Sequence, residues 1–411
     1  MILTERFNQL ALLTNNSLIG SAASYFLTIY LANTFGTEKF GLYSYILIVS
    51  SISVIFINWE ADKTAPSYFS EGKSKSEIFN IVLTSRILVS FLVTIFLFFW
   101  KQVDLFVFAT VLVINLSAFN LSFLFEISAK NTLYSFVYMI ERLFYVFLVI
   151  TLFFFGNEDI EYVIGSYLIV TLVSLGVQYL YFERKYLFAY KQPSPFDLFE
   201  YFKKNVSFVI ISFSAFFYGG ISRLFIGDKL GMSALGVFSS GMQITVLASI
   251  FQAQVERIWR VPLYDSFSAC DKVKIKSNVW SFIKLSTFPS FLVAIVFALF
   301  SNQIVEVLFS KEYKILGSVL PVISLFFVTI NLTSLITICW FALKKSSEYL
   351  ITSGLVSLIL VGILYILPSS ATLAEYVISI LLCQVSLIIY STIRIYYEVK
   401  YIVSIDTNHK I

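Results

Sequence analysis

The stretch Leu31-Ala-Asn-Thr-Phe-Gly36-Thr-Glu-Lys-Phe-Gly41-Leu-Tyr-Ser44 recurs in altered form as Ile226-Gly-Asp-Lys-Leu-Gly231-Met-Ser-Ala-Leu-Gly236-Val-Phe-Ser239. Gly36, Gly41 and Ser44 match Gly231, Gly236 and Ser239 at a constant offset of 195 residues. Phe35, Phe40, Leu42 and Tyr43 face Leu230, Leu235, Val237 and Phe238. Each copy ends one apolar run, turns on glycine and opens the next run. Glycine suits such a turn because it tolerates positive φ. The offset is close to half of the 411 residues, so the chain is read as two similar halves.

Outward from these turns the chain consists of long apolar runs, each near the ~20 residues that a helix needs to cross a bilayer. We place twelve spans at 12–34, 41–59, 78–100, 104–126, 133–155, 160–182, 206–226, 233–256, 279–300, 316–342, 349–367 and 373–396. Composition agrees: 58% hydrophobic, 18% aromatic and 13% charged residues, where soluble domains carry about 25% charged residues. The expected fold is an all-α integral membrane protein with about twelve transmembrane helices in two pseudo-symmetric six-helix lobes, 1–190 and 191–411. Six spans per half is an even number. Both halves therefore enter from the same side, which predicts parallel repeats about an axis along the membrane normal. The joint is the basic loop 183–205 with Pro193-Ser-Pro195, and Phe196 to Lys204 is read as a short interfacial helix.

Charge sets the orientation. Four of the 29 lysines and arginines (Arg86, Arg142, Arg223 and Lys284) lie inside spans. With a cytoplasmic N-terminus and alternating spans, twenty of the others fall on the cytoplasmic side and five on the outer side. That is a positive-inside distribution, with both termini cytoplasmic. The net charge of +4 is thus a property of the membrane topology, and no nucleic-acid partner is expected. Trp59, Trp100, Trp259, Trp280 and Trp340 fall at span ends, where indole favours the interface. The first span holds Ala22 and Ala23 inside it and is read as retained, not as a cleaved signal. Cys270, Cys339 and Cys383 have no metal spacing.

The turn Phe35-Gly36-Thr37-Glu38-Lys39-Phe40-Gly41-Leu42-Tyr43-Ser44 resembles the L-G-x-E-x-F-G-x-Y-S turn of the multidrug/oligosaccharidyl-lipid/polysaccharide (MOP) exporter superfamily. Phe309-Ser-Lys-Glu-Tyr313, with Leu316 to Leu320 after it, is also similar to that superfamily. The nearest branch is that of the bacterial O-antigen and capsule flippases, the Wzx type. The departures are a first span without proline, and Lys344 and Lys345 where a small residue is expected. The resemblance implies two lobes around a central cavity in a bacterial cytoplasmic (inner) membrane. It implies a polyprenyl-diphosphate oligosaccharide as substrate, membrane lipids as surroundings and a polysaccharide polymerase as an open partner. No cofactor is implied, with proton or sodium coupling left open.

Such a substrate needs a polar cavity with cations for its diphosphate, because moving phosphates and hydroxyls through hydrocarbon unaided is very costly. Arginine stays charged when buried and grips phosphate through two N–H groups. Arg142, a third of the way into span five, is the leading candidate, with Arg223 near the outer end of span seven beside it. By the repeat offset Arg223 corresponds to Thr28. Arg86 and Lys284 lie closer to span ends and are expected to snorkel. Polar stripes mark faces turned away from lipid: Ser17, Ser21, Ser24 and Thr28; Tyr134, Tyr138, Glu141 and Tyr145; Thr245, Ser249, Gln252 and Glu256. Small residues also form close helix seams, so the first stripe has two readings. The tyrosines either stack on sugar rings or pack. From these stripes Ser24, Thr28, Tyr138, Tyr145 and Gln252 join Arg142 and Arg223 as substrate-binding candidates. Glu141, the deepest carboxylate, is the candidate for ion coupling.

Other readings are weaker. A cation-coupled drug exporter of the same superfamily would hold interior carboxylates, and here the deep residues are mostly basic. A lipid II flippase resembles a fourteen-span family. A membrane polysaccharide polymerase or ligase would carry a large outer loop, and a channel fits a two-lobe repeat less well. The only histidine is His409, and no nucleophile–base pair, metal cluster or phosphate loop is present, so no enzyme activity is expected.

Overall fold

A computed structural model describes residues 2–100, 104–183, 190–343 and 345–408; Lys344 and His409 lie outside the described residues. Its α-helices are α1 (Ile2–Asn58), α2 (Ala61–Ser70), α3 (Lys75–Phe99), α4 (Leu105–Asn115), α5 (Ser122–Ile127), α6 (Asn131–Phe154), α7 (Ile160–Glu183) and α8 (Pro195–Phe216). They continue as α9 (Ser222–Leu230), α10 (Met232–Ser268), α11 (Lys272–Phe282), α12 (Phe288–Leu299), α13 (Ser301–Leu308), α14 (Lys314–Ser324), α15 (Phe326–Ala342), α16 (Ser346–Ile366) and α17 (Leu373–Asn408). The described residues contain no strand. Nine of their helical stretches are long and apolar enough to cross a membrane. The first of these, Leu12–Asn58, is 47 residues long and holds two expected spans, joined at Gly36. Their outer faces carry exposed Phe91, Phe98, Phe154 and Leu358, a pattern suited to lipid and not to water.

The chain divides into two compact units: residues 1–30 with 42–216, and residues 31–41 with 217–411. This division lies beyond the expected boundary at 190/191. The reason is α8, whose first turns pack in the first unit. Tyr201 is fully buried in a core with Ala61, Ala65, Phe79, Phe123 and Phe125. The Asn205 amide donates to the Thr64 hydroxyl at 3.0 Å. Residues 196–204 are thus the opening turns of a 22-residue helix and not a separate interfacial helix. The helix starts at Ser194, whose hydroxyl accepts the Asp197 N–H at 3.1 Å and donates to its carboxylate at 2.6 Å. That hydroxyl, helped by Lys73, holds the Asp197 carboxyl below its ordinary range.

In the second unit the repeated turns meet one another. Gly36 and Gly231 share one backbone conformation, φ 70° with ψ −178° and φ 90° with ψ 168°. A Cβ at Gly41 would lie 1.9 Å from the Met232 carbonyl oxygen, and one at Gly236 would lie 1.9 Å from the Thr37 carbonyl oxygen. Thr37 and Met232 are themselves 195 residues apart, so the contact is reciprocal. The Thr37 and Ser233 hydroxyls are 2.8 Å apart. Glu312 accepts the Thr37 N–H at 3.1 Å, and the Tyr313 hydroxyl donates to the carbonyls of Ala32 and Gly36 at 3.1 and 3.2 Å. These bonds satisfy backbone groups freed by the kink at Gly36.

Candidate functional site

The fourth span is broken. α4 ends at Asn115, Leu116–Phe119 forms a 3₁₀ turn, and α5 begins at Ser122. Non-helical backbone at membrane depth persists only where protein or a water-filled cavity satisfies it. Here side chains from two other helices do so. Arg86 of α3 donates to the Asn120 carbonyl and the Asn58 amide oxygen. Gln178 of α7 accepts the Leu121 N–H at 2.8 Å, and the Tyr179 hydroxyl donates to the Phe119 carbonyl at 3.4 Å. Arg86 therefore does not snorkel. It is 1% exposed, with its guanidinium 5.2 Å from the Phe123 ring centroid. Asn58 passes the network on to Asp62 at 3.2 Å, and Ser122 donates to the same carboxylate. The expectation for Arg86 is corrected by this: the broken span presents carbonyls at depth, and a cation stays with them. Lys284 is exposed, its ammonium 5.7 Å from the Trp280 ring centroid.

The broken span lines a polar cavity of about 170 Å³ inside the first unit. Ser117 and Asn120 form one side; Tyr134, Tyr138, Glu141 and Arg142 of α6 and Tyr167, Thr171, Ser174 and Gln178 of α7 form the others. Adjacent helix residues point about 100° apart, and Glu141 and Arg142 take separate partners accordingly. The Arg142 guanidinium lies over the Tyr138 ring, 5.0 Å from its centroid. Its Nε is buried with no hydrogen-bond partner among the described residues. Glu141 accepts the Ser174 hydroxyl at 2.6 Å, and Ser174 accepts the Gln178 amide at 3.1 Å. The chain Leu121 N–H, Gln178, Ser174 and Glu141 thus runs from the broken backbone to the carboxylate, every donor directed towards Glu141. Hydrogen bonds aligned in this way polarise one another along the chain.

The structure brings Arg142, Tyr138 and Glu141 into one cavity. Tyr145, one turn on, is buried, its ring at right angles to Tyr167 and its hydroxyl 3.5 Å from that of Tyr43. It packs there and offers no open face. Ser24 and Thr28 donate to the carbonyls of Gly20 and Ser24 at 3.0 and 2.8 Å, so their hydroxyls are satisfied within α1. Arg223 and Gln252 belong to the second unit. Arg223 follows a π-helical segment, Phe217–Ile221, and its Nε is also buried without a partner among the described residues. Gln252 is 3.5 Å from Glu256, which accepts the Ser334 hydroxyl at 2.7 Å and pairs with Arg260. Sequence reasoning missed Asn120, Ser174, Gln178 and Tyr167. The signal was present as Asn115, Ser117, Asn120 and Ser122 crowded into the middle of one span, and as Ser174 and Gln178 one turn apart on another. Among the described residues no group of histidine, cysteine and acidic side chains could hold a metal ion.

No curated protein sequence matches the chain. In fold it is similar to the lipid II flippase MurJ in an inward closed conformation, with a TM-score of 0.73 at 14% identity over 96% of this chain and 90% of that one. It is also similar to an outward-facing multidrug resistance MATE family transporter of the MOP superfamily, with a TM-score of 0.65 at 15% identity over 96% of each chain. A MOP superfamily transporter from Pyrococcus furiosus, described by a reversed polarity of its binding pocket, gives a TM-score of 0.58 at 14% identity over 95% and 96%. The helical fold of the described residues is therefore similar to that of solved MOP superfamily transporters. A family model for polysaccharide biosynthesis proteins matches residues 9–255, more than half of the sequence, and the chain belongs to that polysaccharide biosynthesis protein family.

Proposed function

We propose that this protein is a flippase for a polyprenyl-diphosphate-linked oligosaccharide, an O-antigen, capsule or exopolysaccharide repeat unit. It works in a bacterial cytoplasmic membrane with both termini cytoplasmic. The observation that carries the reading is Arg142: a permanent cation within a membrane-spanning helix, in a polar cavity, with an unused donor. Its free N–H suits a phosphate oxygen, and the Tyr138 ring lies against the guanidinium. Arg223 is the second head-group contact in this reading, and a polysaccharide polymerase is a natural partner for the product. The head passes by a shift of population between inward- and outward-open states, with no covalent step.

Purified protein in liposomes, loaded with polyprenyl-diphosphate oligosaccharide bearing a labelled sugar, tests this through exposure to an impermeant lectin. Exposure should depend on the protein and fall at least tenfold in Arg142→Ala, because a desolvated charge-assisted contact contributes about 1.5–3 kcal/mol. Protein-dependent exposure that survives in Arg142→Ala would remove this residue from the head-group site. Efflux of a cationic dye without any lipid exposure would favour the drug-exporter reading, for which Glu141 in the same cavity is the observation.

Glu141 is proposed as the coupling group, because its carboxylate borders the polar cavity and rests on a serine hydroxyl instead of a cation. Glu141→Gln keeps the shape and the Ser174 contact while removing the charge. Transport should then lose its dependence on a proton or sodium gradient while binding of the diphosphate head is retained. Unchanged ion dependence in Glu141→Gln would exclude the role.

A further inference from the structure

Glu141 and Ser174 line two spaces at once. One is the polar cavity; the other is an apolar groove of about 220 Å³ on the outer side of α6 and α7. The groove is walled by Phe136, Ile140, Phe144, Val170, Val173 and Val177. Phe136, Ile140, Phe144, Val173 and Val177 are exposed, on two helices long and apolar enough to cross a membrane. We propose that this groove is the lateral exit through which the long apolar tail of an anionic lipid leaves the cavity while Arg142 holds its phosphate head. The proposal rests on the flippase reading and adds to it the route of the tail.

Two features of the wall carry it. A tail gains nothing from apolar protein over apolar lipid, so it needs a passage and not a pocket. The passage must begin where the wall is thinnest. On the side of the broken span the cavity is closed by backbone pinned through Arg86, Gln178 and Tyr179. On the α6–α7 side the two spaces share a carboxylate and a serine, joined by one hydrogen bond of 2.6 Å. The second feature is cost. A carboxylate bordering a lipid-facing groove is expensive, and packing alone would have been served by an apolar side chain. Charge completes the fit: the cavity offers a cation with an unused donor, and beyond Glu141 and Ser174 the groove is walled by apolar side chains, so one molecule with an anionic head and a long apolar tail matches both.

Photo-crosslinking reads the route directly. Val173 is replaced by a photoreactive phenylalanine analogue, and Leu358, an exposed residue of α16, is replaced likewise as a lipid-facing control. Full-length protein in nanodiscs is irradiated with tail-tagged polyprenyl diphosphate. We expect the yield at position 173 to exceed that at 358 at least fivefold. Unlabelled polyprenyl diphosphate should suppress it, polyprenol should not, and Arg142→Ala should abolish the excess. Equal yields at the two positions would overturn the exit route. They would leave the flippase reading standing if the liposome assay still shows Arg142-dependent exposure of the sugar, and both would fall if that exposure is absent. Equal competition by polyprenol, or an excess unchanged in Arg142→Ala, would also overturn the proposal, since the groove would then take apolar chains regardless of their heads.

Discussion

Gly41→Ala and Gly236→Ala are expected to be the most damaging single-methyl changes in the protein. Each new Cβ would fall 1.9 Å from a backbone carbonyl oxygen, and no side-chain rotation can relieve that. The turns must separate, and overpacking of this kind costs about 1–3 kcal/mol or more. The bonds from Glu312 and Tyr313 to residues 32–37 would loosen with it. The monodisperse fraction surviving a heating series in detergent measures the effect. Because one separation relieves both overlaps, the double variant should cost clearly less than the sum of the two singles. Gly165→Ala and Gly354→Ala, where nothing lies within 4 Å of the added carbon, should instead stabilise by about 0.5–1 kcal/mol through the better helix propensity of alanine. Equal behaviour of the two pairs would refute the reciprocal contact.

Arg86→Met is expected to destabilise the first unit by about 3–5 kcal/mol, the usual range when one member of a buried charged network is removed. Methionine roughly fills the space but leaves the Asn58 amide oxygen and the Asn120 carbonyl without their donor. Asp62 would keep its serine and asparagine donors but lose the cation beyond them. Lys284→Met, which removes an exposed cation beside Trp280, should cost under about 1 kcal/mol. Thermal unfolding of the two variants in the same detergent separates a buried structural cation from an exposed one. Similar midpoints would contradict the role given to Arg86.

The architecture was legible because membrane spans announce themselves by length and composition, and because the glycine turns repeat at a fixed offset. The residues of the candidate cavity were legible in part. Arg142, Glu141 and Tyr138 stood out as polar residues at depth on one helix. Arg86 was misread since distance from a span end says nothing about what lies across the helix. Its partners come from residues 58 and 120, and the carbonyl of Asn120 is free only because the fourth span breaks there. A break of that kind is spread over several polar residues and no proline, so it leaves a weak mark in sequence. Tyr145, Ser24 and Thr28 showed the reverse: periodicity placed them on polar faces, but their hydroxyls find partners nearby.

The reciprocal glycine contact has a bearing on how the protein is made. The segment 31–41 belongs to the second unit, yet it is synthesised 195 residues ahead of the turn that receives it. At about 5–20 residues per second, the first turn waits in the membrane for roughly 10–40 s. Throughout that interval its glycine surface and its kinked backbone lack the Met232, Ser233 and Glu312 groups that later complete them. Biogenesis therefore includes a late docking step in which a hairpin tip already inserted is captured by newly arrived chain. An insertion factor that shields such a tip would act on this early segment, not on the helices emerging last.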